Sequence, residues 1–130
     1  MDIRLPKRIG KEMKEQIEAI INEFNERKAN DIRYFDIDDG DHPIADHIII
    51  VSALNEIHLK SLIDGITRFY KDNKSTTFKD FVHLSTSGKP KSLWVILDFD
   101  NLLIHVMEEE IRNQYQIDAL FEEYISFTYH

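Results

Sequence analysis

Carboxylates are the side chains in this chain whose spacing could most readily do chemistry. Asp36-Ile37-Asp38 alternates acid and apolar as a strand does, which would put two carboxylates on one face, the arrangement that holds magnesium in nucleotidyl transfer. Asp98 and Asp100 repeat the spacing, though at a turn, where acids are common. That reaction also needs a Gly-Ser turn upstream to grip a triphosphate, and the preceding Glu26-Arg27-Lys28-Ala29-Asn30 contains no glycine. Asp36, Asp38, Asp39 and Asp41 are dense enough for a calcium loop, but the offsets refuse it. Counted from Asp36, Gly40 is fifth where a calcium loop needs its glycine sixth, and the twelfth position is His47 rather than Glu. The chain has neither a nucleophile motif nor a phosphate-binding glycine loop. No catalytic residue, cofactor or metal is expected; a magnesium-dependent nucleotidyltransferase using Asp36 and Asp38 is the enzymatic alternative.

A second group of polar residues surrounds the strongest structural signal. Leu93 to Leu97 and Leu102 to Met107 are two apolar runs of strand length separated by Asp98, Phe99, Asp100 and Asn101, a hairpin pattern. Runs that are apolar without alternation are covered on both faces, so the hairpin should lie centrally in a sheet. Trp94 on the first run reads either as core or as an interface anchor. His105, between Ile104 and Val106, reads as a satisfied histidine of the sheet rather than a base. Glu108, Glu109 and Glu110 follow at once, where the positive end of a helix dipole favours them, and they also suit a partner-facing acidic patch. Arg112 lies two residues from Glu110 and so on another helical face; its partner is elsewhere, with Asp98 as a candidate. Tyr115 follows one turn later.

The elements that must position these residues are readable from periodicity. Ile9, Met13, Ile17, Ile20, Ile21 and Phe24 form one stripe at helical spacing, predicting an amphipathic helix over 7–28. Ile32 to Ile37 and Ile44 to Ser52 read as strands around a loop of turn formers from Asp38 to Pro43. Asn55 is a reasonable N-cap for a helix ending near Asn73. Phe78 to Thr86 is a weaker strand candidate, Ser87 to Lys91 an exposed loop, and Ile117, Leu120, Phe121 and Tyr124 mark a short closing helix. The expected architecture is a single α/β domain over 1–130, a mixed sheet of about five strands with helices packed against it. Residues 1–8 and 122–130 are expected to be peripheral tails.

Bulk properties narrow the class of partner. The chain of 130 residues can bury one sizeable core; 42% of it is hydrophobic and 31% charged, ordinary for a globular protein. Its net charge of −8 is repelled by phosphate backbones, so direct nucleic-acid binding is not expected and a basic protein surface is. There is no cysteine, which excludes disulfides and thiolate metal sites and fits a reducing compartment. No run approaches the ~18 apolar residues of a membrane span. The expectation is a cytoplasmic protein without membrane contact.

The hairpin and its tail resemble the ribosomal silencing factor family, also called Iojap. The carrying pattern is a strand begun by Trp and ended by Asp, a short turn, an apolar strand containing His, then Glu-x-Arg-x-x-Tyr and a Leu-aromatic close. Here these are Trp94, Asp98, His105, Glu110, Arg112, Tyr115, Leu120 and Phe121. Upstream, Asp31 to Ile37 and Ile44-Ala45-Asp46 before Ile48 to Val51 match the family's first two strands, so the resemblance covers roughly 9–121. It departs where the family commonly has Gly-Asp (here Asp100 and Asn101), Gly (Ala53), Arg (Ile57) and a closing Trp (Phe121). The resemblance implies a nucleotidyltransferase-like fold without the activity. It also implies docking on the large ribosomal subunit through large-subunit ribosomal protein fourteen, which blocks joining of the small subunit and represses translation. The partner-binding residues it implies are Trp94, Asp98, His105, Glu108, Glu109, Glu110, Arg112 and Tyr115, with Trp94 as interface anchor. A homodimer through exposed sheet, or a dimeric adaptor unrelated to ribosomes, is the alternative use of such a surface.

Overall fold

Two amphipathic helices fix one side of the molecule. In a computed structural model describing residues 10–37, 46–83, 85–122 and the backbone of 125–129, α1 runs Lys11–Glu26 and buries Ile17, Ile20, Ile21 and Phe24. It ends earlier than residue 28 because Lys28 turns into the left-handed region, φ 66°; residues 7–9 lie outside the described residues. α2 (Glu56–Asp72) starts where expected, with Asn55 Oδ1 accepting the His58 N–H at 2.8 Å, and buries Leu59, Leu62 and Ile66. Each fully buried side chain of this kind stabilises the fold by about 1.5–3 kcal/mol.

These helices cover one face of a six-stranded mixed sheet in the order β3-β4-β5-β2-β1-β6. The strands are β1 (Asn30–Asp36), β2 (His47–Ala53), β3 (Ser85–Ser87), β4 (Trp94–Asp98), β5 (Leu102–Glu108) and β6 (Ile125–Tyr129). β2 and β5 form the parallel central pair, and every residue of β2 is buried. Their continuous apolar sequences are the reason they occupy the middle. The hairpin β4–β5 closes through Phe99 N–H donating to Leu102 O at 2.8 Å, with Asp100 at φ 66° and its N–H held by Asp98 Oδ1.

Two expectations need correction. Phe78 to Thr86 is mostly not a strand: residues 73–80 form successive turns, and only Ser85–Ser87 pairs with β4. Phe78 and Phe81, three apart, both turn inward, and Phe78 joins an aromatic cluster with Phe69, Tyr70 and Phe99. Aromatic richness mimicked a strand while the spacing was that of a turn. The sheet has six strands rather than about five because residues 125–129, expected in a peripheral tail, add to the outer edge of β1 as β6. The proposed tail 1–8 lies outside the described residues.

The other face of the sheet is covered unequally. α3 (Glu109–Tyr115) and a 3-10 turn, Ile117–Phe121, pack Ile117 and Phe121 over Phe35, Ile37, Ile48, Ile50 and Met107. Trp94, Leu103 and Ile111 are only partly buried at the margin of that cluster. The outer strands β3 and β4 therefore present side chains to solvent on this face.

Candidate partner-docking surface

Most of the residues singled out from the sequence converge around α3. Cross-strand register places Trp94 opposite Met107, Ile96 opposite His105, and Asp98 opposite Leu103, so alternate residues of β4 and β5 share the half-covered face. Trp94 Nε1–H donates to His105 Nδ1 at 3.1 Å, and its ring lies 5.3 Å from that of Tyr115, tilted by 48°. Tyr115 is 57% exposed. Trp94, Ile96, Ile111 and Tyr115, with Gly88 and Ser92, line a shallow cleft of about 360 Å³. Gly88 is required there: at φ 84°, a Cβ would stand 2.3 Å from the Trp94 carbonyl oxygen.

His105 lies under the indole rather than at the surface. It is 9% exposed, and burial pushes its imidazole down to about 4, against a smaller upward pull from Asp118. At neutral pH the ring is uncharged and Nδ1 accepts from Trp94, in keeping with a satisfied sheet histidine.

The acids divide by role. Glu108 caps α3, its Oε1 accepting the Glu110 N–H at 2.6 Å, and Glu109 accepts from Asn30 Nδ2 at 2.9 Å. Glu110 is exposed and Asp98 half-buried. Arg112 does not pair with Asp98. It is 7% exposed, with Nε and Nη2 forking onto both oxygens of Asp118 at 3.0 and 2.7 Å. Its Nη1 donates to Asp31 O at 2.6 Å and to Ser52 Oγ at 2.8 Å. Arg112 thus ties α3 to β1 and β2. Burial pushes the Asp118 carboxyl up, but the hydrogen bond from Arg112 and the charges of Arg112 and Arg33 outweigh it and hold the group below its usual range.

Asp118 was not singled out from the sequence, because the reversal at Gln116 that returns it to Arg112 leaves no mark in helical spacing. Together with Arg33, Ser52, Arg112 and Gln116 it borders a wide, open depression of about 900 Å³ on the opposite flank of α3. Asp36 is 2% exposed at the end of β1, and Asp38, Asp39 and Asp41 lie outside the described residues. Among the described residues, no group of three or more histidines and acids is placed to hold a metal ion, and no helix is long and apolar enough to cross a membrane.

With this geometry in place, comparison with known proteins gives the family. Residues 10–128 match the family "ribosomal silencing factor during starvation", and the chain belongs to it. It is 24% identical over 105 residues to the Haemophilus influenzae ribosomal silencing factor, covering 81% of this chain and 96% of that one. It is 23% identical over 105 residues to the mouse mitochondrial assembly of ribosomal large subunit protein 1, covering 81% of this chain but only 44% of that longer protein. Among solved structures, a Chromobacterium violaceum protein superposes with a TM-score of 0.71 at 21% identity, over 85% of this chain and 86% of that one. A Bacillus halodurans protein superposes with 0.67 at 15% identity, over 90% and 98%. These two likenesses establish the α/β fold and nothing further.

Proposed function

We propose that the protein is a translation repressor that binds the large ribosomal subunit through ribosomal protein fourteen and stands where the small subunit must land, without catalysing a reaction. The observation that carries this reading is the uncovered half of the sheet: Trp94 and Ile96 on β4, backed by Tyr115 and Ile111 of α3, form an aromatic shelf beside the exposed Glu110. A half-buried Trp braced by a Tyr is the side-chain type that anchors protein interfaces. Membership of the silencing-factor family and the names of the bacterial and mouse relatives support the ribosomal partner.

The charge supports a protein contact rather than an RNA one, because a chain at −8 docks on a ribosome only against a basic patch. A standard interface buries about 1,600 Å² in total, an area one face of a domain this size can supply. Within this reading Trp94, Asp98, Glu110 and Tyr115 touch the partner. Glu108, Glu109 and Arg112 hold α3 in place behind them. The fold is taken as nucleotidyltransferase-like without the activity, since Asp36 is buried rather than open to a triphosphate. A homodimer would use the same shelf and so compete with docking.

Sedimentation with purified subunits in a cytoplasmic buffer tests this. Co-migration with isolated large subunits, absence from small subunits, and a loss of joined ribosomes as protein is added are expected. Protein that ignores large subunits, or joins them without affecting association, overturns the proposal.

A further inference from the structure

Trp94 has one polar atom, the indole Nε1, and it can only donate. That donor points inward and is spent on His105 Nδ1 at 3.1 Å. His105 sits on β5 between Ile96 of β4 and Ile50 of β2, with too little exposure to meet a partner itself. A nitrogen that accepts is unprotonated, so the imidazole is the Nε2–H tautomer. Burial favours the uncharged ring over the neutral pH range, which keeps the acceptor available. Tyr115 braces the indole from α3 at a ring separation of 5.3 Å. The indole is therefore fixed by a hydrogen bond from beneath and an aromatic contact from the side.

We propose that His105 is a positioning residue of the docking surface: by taking the indole N–H of Trp94 from below, it holds the ring in its docking orientation and removes its only donor from the surface, so that the partner meets a π-face suited to a basic side chain. This deepens the docking reading and rests on it. A half-exposed indole without that tether would lose rotamer freedom on binding, a penalty of about two- to tenfold in affinity. An exposed N–H would also favour acceptors such as phosphate or carboxylate. With the N–H hidden, the ring offers its negative face, which attracts a guanidinium or ammonium. The acidity of the chain selects the same partner chemistry from a distance.

A double-mutant cycle on binding to purified large subunits tests the proposal, with the full chain as Trp94→Phe, His105→Leu, His105→Asn and the Trp94→Phe/His105→Leu pair. His105→Leu should weaken binding about five- to tenfold, and His105→Asn, whose amide oxygen replaces Nδ1 as acceptor, should recover most of it. In the Trp94→Phe background, His105→Leu should cost less than about twofold, because the contact it removes is already gone. In the free protein, His105→Leu should also speed hydrogen exchange of the indole N–H measured by NMR. An equal effect of His105→Leu in both backgrounds, or an unchanged indole exchange rate, overturns the positioning role while leaving docking intact. If Trp94→Ala itself binds as tightly as the parent, the docking reading falls, and this proposal with it.

Discussion

Removing Asp118 should expose how much of the fold depends on one buried guanidinium. In Asp118→Ala, Arg112 stays 7% exposed but keeps only the Asp31 carbonyl and the Ser52 hydroxyl, both neutral. Breaking a buried ion pair by deleting one partner costs about 3–5 kcal/mol, and because Asp118 borders an open depression that admits water, the lower end, about 3 kcal/mol, is expected. Arg33, at 3.3 Å from Asp118 and itself partly exposed, adds little. Arg112→Met removes the charge; Asp118 keeps Arg33 beside it and borders open solvent, so the main loss is the two hydrogen bonds to the Ser52 hydroxyl and the Asp31 carbonyl, at about 1 kcal/mol each. The double variant has no stranded charge left, so it should cost about as much as Arg112→Met alone, giving a coupling near 2–3 kcal/mol. Urea unfolding of the four proteins measures this, with the denaturant slope unchanged. Additivity within about 0.5 kcal/mol would refute the pair as an energetic unit. The pH dependence gives a second check. Asp118 is depressed below 3.8, so its stabilisation is complete above that value and is lost as the pH falls through its folded pKa. Asp118→Ala should remove that part of the acid sensitivity.

Other expectations follow from the same geometry. The unfolded chain binds a proton on His105 near pH 6.5 and the folded chain only near 4, so stability should fall by about 3 kcal/mol as pH drops across that window. His105→Leu should flatten this part of a stability-against-pH curve; an unaltered slope would assign it to other groups. Trp94→Ala should weaken binding to large subunits by roughly 2 kcal/mol or more with melting little changed, and a collapsed melting temperature would make Trp94 core instead. Gly88→Ala should destabilise by about 2 kcal/mol or more in thermal melts, since its positive φ and the nearby Trp94 carbonyl both oppose a Cβ. Ile57→Arg, at a site 83% exposed, should leave stability within about 0.5 kcal/mol; a larger loss in melts would mean that Ile57 packs in solution.

The parts of the fold legible in the sequence were those written by period or by a cap. The stripe from Ile17 to Phe24, the Asn55 cap and the two apolar runs around Asp100 each have a single physical reading, and the structure follows it. Phe78 to Thr86 misled because its aromatic content outweighed a three-residue spacing suited to a turn. β6 carried a signal that was passed over, since Ile125, Phe127 and Tyr129 alternate with Ser126 and Thr128. The partner of Arg112 could not be read from spacing. Gln116 adopts a left-handed conformation, φ 48°, that turns the chain back and brings Asp118 under the helix, and nothing in a helical wheel anticipates a reversal. His105 was placed correctly on its strand, but whether it met a partner or supported one depended on burial.

The polar side chains around α3 are engaged mostly with other groups of the same chain. Arg112 is saturated by Asp118, Asp31 and Ser52, His105 is occupied by Trp94, and Glu108 and Glu109 are taken by α3 and Asn30. Groups committed in this way in the free protein have their geometry set before a partner arrives, and each prepaid orientation lowers the ordering cost of docking. On the proposed docking reading, these internal contacts around α3 fix the shape that the half-buried Trp94 and the exposed Tyr115 offer to a partner.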